Sequence, residues 1–175
     1  MRNRHGFTIV ELAIVIAIMG VLLVLGVAKL NSSQVTARDH ERKSDAANIA
    51  RFMEDYYKNN GGTYPATDKI TPSTMDSFFD GLDKAILKAP GQDSYSLIAA
   101  TSYSDTDPTV DQYIYLPKLD PQSEVNSGGR LCQVGRSTCG VCDSSLDKCR
   151  SFTIYYRAEA GEPSEAVKSI TSEHQ

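Results

Sequence analysis

The sequence predicts an α+β protein in which one long N-terminal α-helix packs on a small antiparallel β-sheet head. Three observations carry this reading. Residues 7–28 form an unbroken apolar run, and residues 29–60 contain neither proline nor glycine. The segments 95–103, 112–119 and 152–158 are rich in aromatic and aliphatic residues and are separated by turn formers, as strands are.

The apolar run comes first. From Phe7 to Ala28 it carries a single charge, Glu11, and at 1.5 Å per residue it spans roughly 33 Å, the depth of a bilayer core. The overall composition, 41% hydrophobic and 23% charged, hides how polar the rest of the chain is. A purely soluble, cytoplasmic protein is therefore disfavoured. Arg2, Arg4 and His5 precede the run, so the basic side stays in the cytoplasm and the chain after Lys29 is exported. An ordinary secretory signal has a shorter apolar core followed by a small-residue cleavage site; here the small residue, Gly6, comes before the core. The resulting layout is a leader at 1–6, a membrane-spanning half-helix at 7–28, an exported half-helix at 29–60 and a head at 61–175.

Glu11 admits two readings. A carboxylate within a membrane helix costs about 2.5 to 3.5 kcal/mol on the insertion scale, so it either reaches the cytoplasmic interface or finds a cation. A cut between Gly6 and Phe7 would create an α-amino group four residues before Glu11, and a neighbouring copy would then offer that ammonium to this carboxylate.

Beyond the run, Ile49, Phe52, Met53, Tyr56 and Tyr57 follow the spacing of one apolar helix face, and Asn60-Gly61-Gly62 supplies a stop. The helix is expected from Phe7 to about Asn59, roughly 80 Å, with only its last third under the head. Arg38, Asp39, Glu41, Arg42, Lys43 and Asp45 place both signs around it, as a solvated face does. Thr71-Pro72 is a helix start, and Met75, Phe78, Phe79 and Leu82 make its apolar stripe.

Charge and residue supply narrow the function. The net charge is −4, and loss of residues 1–6 leaves 16 basic against 22 acidic residues, a poor footing for nucleic acid as main partner. His5, His40 and His174 are the only histidines, too few and too scattered for a catalytic triad or a histidine metal cage. No catalysis is expected. Cys132, Cys139, Cys142 and Cys149 are spaced C-x6-C-x2-C-x6-C on the exported side, which favours disulfides over a zinc ribbon or a thioredoxin-like redox pair. Of three possible pairings, the nested one (Cys132 with Cys149, Cys139 with Cys142) suits the symmetric spacing without proving it. Asp105, Asp107 and Asp111 are weak calcium candidates, because the run lacks the glycine and distal glutamate of an EF-hand loop; no other metal or cofactor is expected. The tyrosines of the β segments read as strand packing, with an adhesive patch as the alternative.

Arg4-His5-Gly6-Phe7-Thr8-Ile9-Val10-Glu11-Leu12 followed by the apolar helix resembles the class III signal of type IV prepilins and of the related type II secretion pseudopilins. The resemblance is close over residues 4–60. It implies the type IV pilin fold, cleavage after Gly6 by prepilin peptidase, methylation of Phe7, and pairing of Glu11 with the Phe7 amine of an adjacent subunit. It further implies self-assembly on an inner-membrane platform, a lipid-embedded precursor with a cytoplasmic N-terminus, and a surface pilus for adhesion or motility. The charged stretch at 38–45 then has a second reading, contact between subunits. Many pilins carry a proline near the exit of the apolar helix, where this chain has Val27-Ala28; Gly20 and Gly26 remain as weak points. A pseudopilin of a short secretion filament, often with a calcium loop in its head, is the nearest alternative. A single-pass anchor displaying a disulfide-bearing binding head is the alternative from another class.

Overall fold

The computed structural model describes residues 8–102, 104–119, 149–162 and 165–174, with backbone alone at 25–28 and 119. The chain divides into two compact units, Met1–Ala37 and Arg38–Gln175, and helix α1, Ile9–Asn59, contributes to both. The start of the second unit falls inside the half-helix that composition alone sets at 29–60.

In the first unit every described side chain of the apolar run is exposed, the large hydrophobic ones from 41% at Val15 to 88% at Ile9. The segment is long and apolar enough to cross a membrane, and none of its apolar window is buried inside the protein. A helix that is apolar all round and buries nothing against its own chain needs an apolar surrounding.

The second unit begins on the same helix and buries one stripe of it. Ala46, Ile49, Ala50 and Met53 pack with Tyr64, Phe79, Leu87, Tyr113, Tyr115, Phe152 and Ile154. The helix ends where glycines permit: Gly61 and Gly62 have φ of +65° and +73°, and the Gly62 amide donates to the Tyr57 carbonyl at 3.0 Å. That six-to-one bond is the Schellman closure, which satisfies a carbonyl the helix itself leaves open.

Four strands form one sheet in the order β1-β2-β3-β4: β1 Leu97–Ala99, β2 Tyr113–Leu119, β3 Cys149–Arg157 and β4 Val167–Thr171. Period-two alternation divides its faces. Tyr113, Tyr115, Phe152, Ile154 and Tyr156 join the main core, while Ile114 and Leu116 pack with Ala100 and Tyr155 in a second cluster. The sheet is mixed rather than wholly antiparallel, because β1 pairs β2 in parallel, Leu97 opposite Tyr113. Residues 100–112 return the chain to the start of β1, and a connection of about a dozen residues is what a parallel crossover needs. The other two pairings are antiparallel. β4 was not expected; Val-Lys-Ser-Ile-Thr has only two aliphatic residues, and its pairing with Thr153–Arg157 of β3 defines it.

The expected helix at Thr71-Pro72 is shorter than its stripe suggests. Helix α2 covers only Met75–Phe78, with Thr74 at its cap. Thr74 spends its hydroxyl on the Lys69 carbonyl at 2.7 Å, and the turn closes when Lys84 donates to the carbonyls of Asp76 and Phe79 at 2.7 and 2.9 Å. The stripe still does its packing work, with Phe52 lying 4.9 Å from Phe79 and 5.7 Å from Phe78 between ring centroids.

Candidate assembly site

The first described turn of α1 is a capping box. The Thr8 carbonyl accepts the first helical hydrogen bond from the Leu12 amide at 3.3 Å. The Thr8 hydroxyl accepts from the Glu11 amide at 3.2 Å, and Glu11 reaches back: its Oε2 accepts from the Thr8 amide at 3.0 Å and from the Thr8 hydroxyl at 2.9 Å. Two orphan amides at the helix start are thereby satisfied. Glu11 thus has a partner within its own chain, which neither sequence reading supplied. The signal was present in Thr8-Ile9-Val10-Glu11, threonine followed three residues later by glutamate ahead of an apolar run. Gly6 and Phe7, the expected cleavage pair, lie outside the described residues.

The charged stretch at 38–45 is not a uniformly solvated face. Arg42 is 1% exposed. Its guanidinium donates to the Val110 carbonyl at 2.8 Å, to Asp39 at 3.0 Å and to Glu159 at 2.5 Å, while Arg38 holds the same Glu159 with bonds of 2.9 and 2.5 Å. Asp39 completes the clamp by accepting from the amides of Glu159 and Ala160. Hydrogen bonds from Arg38, and then from Arg42, hold the Glu159 carboxyl down at about 2 against an opposing push from desolvation. These charges fasten the head to its own stretch of helix, which neither a uniformly solvated face nor a contact between subunits by itself describes. The missed signal is register: Arg42 lies one turn before Ala46 on the stripe that continues through Ile49 and Met53.

Two further carboxylates on the helix face inward. Asp45 accepts from the Tyr113 hydroxyl at 3.2 Å, and burial pushes its carboxyl up to about 6 despite that bond. Glu54 accepts from Tyr64 at 2.8 Å and from the Glu173 amide at 2.9 Å, and its Oε2 lies 3.0 Å from His174 Nδ1. His174 stacks on Tyr57 at 4.5 Å, so the segment after β4 is docked on the helix.

The remaining candidates are dispersed or already engaged. Asp105 Oδ2 accepts from the amide and hydroxyl of Thr101, both at 2.8 Å, and from the Ser102 amide at 2.9 Å; these bonds, the Thr101 hydroxyl first, lower its carboxyl. Asp107 pairs with Arg157, and Asp111 is exposed. Among the described residues no three His, Cys, Asp or Glu side chains gather in a way that would hold a metal ion. Cys149 opens β3 fully buried in the core, while Cys132, Cys139 and Cys142 lie outside the described residues. Tyr113, Tyr115 and Tyr156 are buried, and Tyr115 donates to the Pro65 carbonyl at 2.8 Å, as packing tyrosines do.

Comparison with known proteins places one segment. No curated protein and no solved structure matches the chain. Residues 1–27 match the prokaryotic N-terminal methylation motif, which covers the leader, Gly6-Phe7, the Thr8–Glu11 cap and most of the exposed apolar run. With a long helix, a mixed sheet behind it and this motif at its head, the chain carries the class III signal peptide of type IV pilins and pseudopilins.

Proposed function

We propose that this chain is a structural subunit of a type IV pilus. Prepilin peptidase cleaves it after Gly6, Phe7 is methylated, and the mature subunits polymerise through α1, with Glu11 meeting the Phe7 ammonium of a neighbour. The observation that carries this reading is a coincidence of register. The methylation motif covers Gly6, Phe7 and Glu11 at the head of an apolar helical segment whose described side chains are all exposed. Such a helix is held by lipid before assembly and by its counterparts in other subunits afterwards. The precursor keeps its N-terminus in the cytoplasm and is handed to an assembly platform in the inner membrane; the head is exported and faces outward on the surface filament, serving adhesion or motility.

The proposal includes no catalysis and no cofactor. It includes oxidised cysteines, supported by the exported side on which all four lie and by the burial of Cys149. The test is microscopy of filaments sheared from cells, with mass spectrometry of their subunit. Long surface filaments whose subunit begins at methylated Phe7 are expected. Short filaments seen only on overproduction would assign the chain to a secretion pseudopilus. A subunit that still begins at Met1, unaffected by loss of the peptidase, would leave only a membrane anchor.

A further inference from the structure

The geometry points to Thr8 as a positioning residue for Glu11: it holds one carboxylate oxygen within the subunit and leaves the other for the ammonium of a second copy. This rests on the assembly reading above. Both Thr8 donors, the amide at 3.0 Å and the hydroxyl at 2.9 Å, converge on Oε2 of Glu11. Among the described residues nothing donates to Oε1. The hydroxyl is oriented by the bond it accepts from the Glu11 amide at 3.2 Å, so one side-chain oxygen accepts from the backbone and donates to the carboxylate together.

That double use separates two roles for position 8. As a helix cap, threonine is replaceable by aspartate, whose oxygen also accepts from the first-turn amides. As a positioner of Glu11 it is not, since an ionised aspartate has no proton to donate and repels the carboxylate. Serine keeps both functions, and valine keeps the shape and loses both. A glutamate without this hold has three side-chain torsions to order before an incoming ammonium finds it, away from water that would otherwise share the charge. With the hold, Oε1 is already displayed beside the helix start.

The experiment co-expresses each variant with the wild-type subunit. The share of variant in sheared filaments is measured by quantitative mass spectrometry against its share of the cleaved membrane pool, so that only processed subunits are compared. Thr8→Ser is expected to enter filaments like the wild type. Thr8→Val and Thr8→Asp are expected to be depleted about tenfold, the scale of one hydrogen bond to a charged group. Adding Thr8→Val to Glu11→Gln should deplete that subunit no further than a modest fraction of this, because Thr8 acts through the carboxylate. If Thr8→Asp and Thr8→Val enter like the wild type while Glu11→Leu is excluded, the positioning role is wrong and the assembly reading stands. If Glu11→Leu itself enters like the wild type, the assembly reading of Glu11 fails, and the role of Thr8 fails with it.

Discussion

Arg42 and Glu159 stand 117 positions apart in sequence and 2.5 Å apart in space, with the Arg42 side chain 2% exposed and that of Glu159 22%. A guanidinium so enclosed is tolerable because three separate acceptors receive it: a backbone carbonyl and two carboxylates. Replacing it by methionine leaves Glu159 and Asp39 facing each other without it. Arg42→Met is expected to lower the unfolding free energy by about 3 kcal/mol, and Arg42→Lys to recover little, because an ammonium lacks the planar fork that reaches all three acceptors. Denaturant titration of the full chain, followed by tyrosine fluorescence, checks both.

The same clamp sets an acid limit. The Glu159 carboxyl is depressed from 4.5 to about 2, so its contribution is complete above pH 4.5 and is lost as pH falls toward 2. Its partial exposure reduces the effect to about 1 to 2 kcal/mol. Glu159→Gln should therefore destabilise the head at neutral pH and flatten the stability curve between pH 4.5 and 2. An unchanged slope in that window would show that the pair is not coupled to folding.

Asp45 works in the opposite sense. Its carboxyl is raised from 3.8 to about 6, so the folded head binds a proton that the unfolded chain does not. The resulting stabilisation is complete below pH 3.8 and disappears as pH rises through 6. Asp45→Asn, which keeps an acceptor for Tyr113 and removes the buried charge, should raise the melting temperature above pH 6 and leave it nearly unchanged near pH 4. Scanning calorimetry at those two pH values is the measurement; equal effects at both would contradict it.

At the end of α1 the two glycines should respond differently. A Cβ at Gly61 meets open space, so Gly61→Ala carries only the left-handed backbone strain, about 1 kcal/mol. A Cβ at Gly62 would lie 3.3 Å from Arg150 Nη1 and 3.4 Å from the Tyr57 ring, and Arg150 donates to the Gly62 carbonyl at 2.6 Å. Gly62→Ala should thus cost more than Gly61→Ala. Comparing the two denaturation midpoints tests the order.

Helix α1, its stop at Gly61-Gly62 and the stretches that became β2 and β3 were legible because each is a local pattern of long period or strong composition. The parallel pairing of β1 was not, since strand direction depends on how residues 100–112 double back, and no local propensity encodes that. Strand β4 was missed for a related reason: its identity comes from the edge it completes on β3. At the site, Glu11 stood out as a charge in an apolar run, whereas Thr8 looked ordinary beside it. From sequence Arg42 belongs at the surface because its type favours water; what buries it is a set of acceptors supplied from residues 110 and 159.

The placement of β3 has a kinetic meaning. The helical stripe at Ala46–Met53 is covered mainly by side chains that lie beyond position 60, and Phe152 and Ile154 of β3 are among the last of them to emerge during synthesis. Until they do, the stripe has no permanent cover, and neither Arg38 nor Arg42 has met Glu159. Contacts this distant in sequence make slow folding with a long exposed interval, the interval in which chains aggregate. A helix long and apolar enough to cross a membrane would, once inserted, limit that hazard by tethering each new chain apart from its neighbours during that interval.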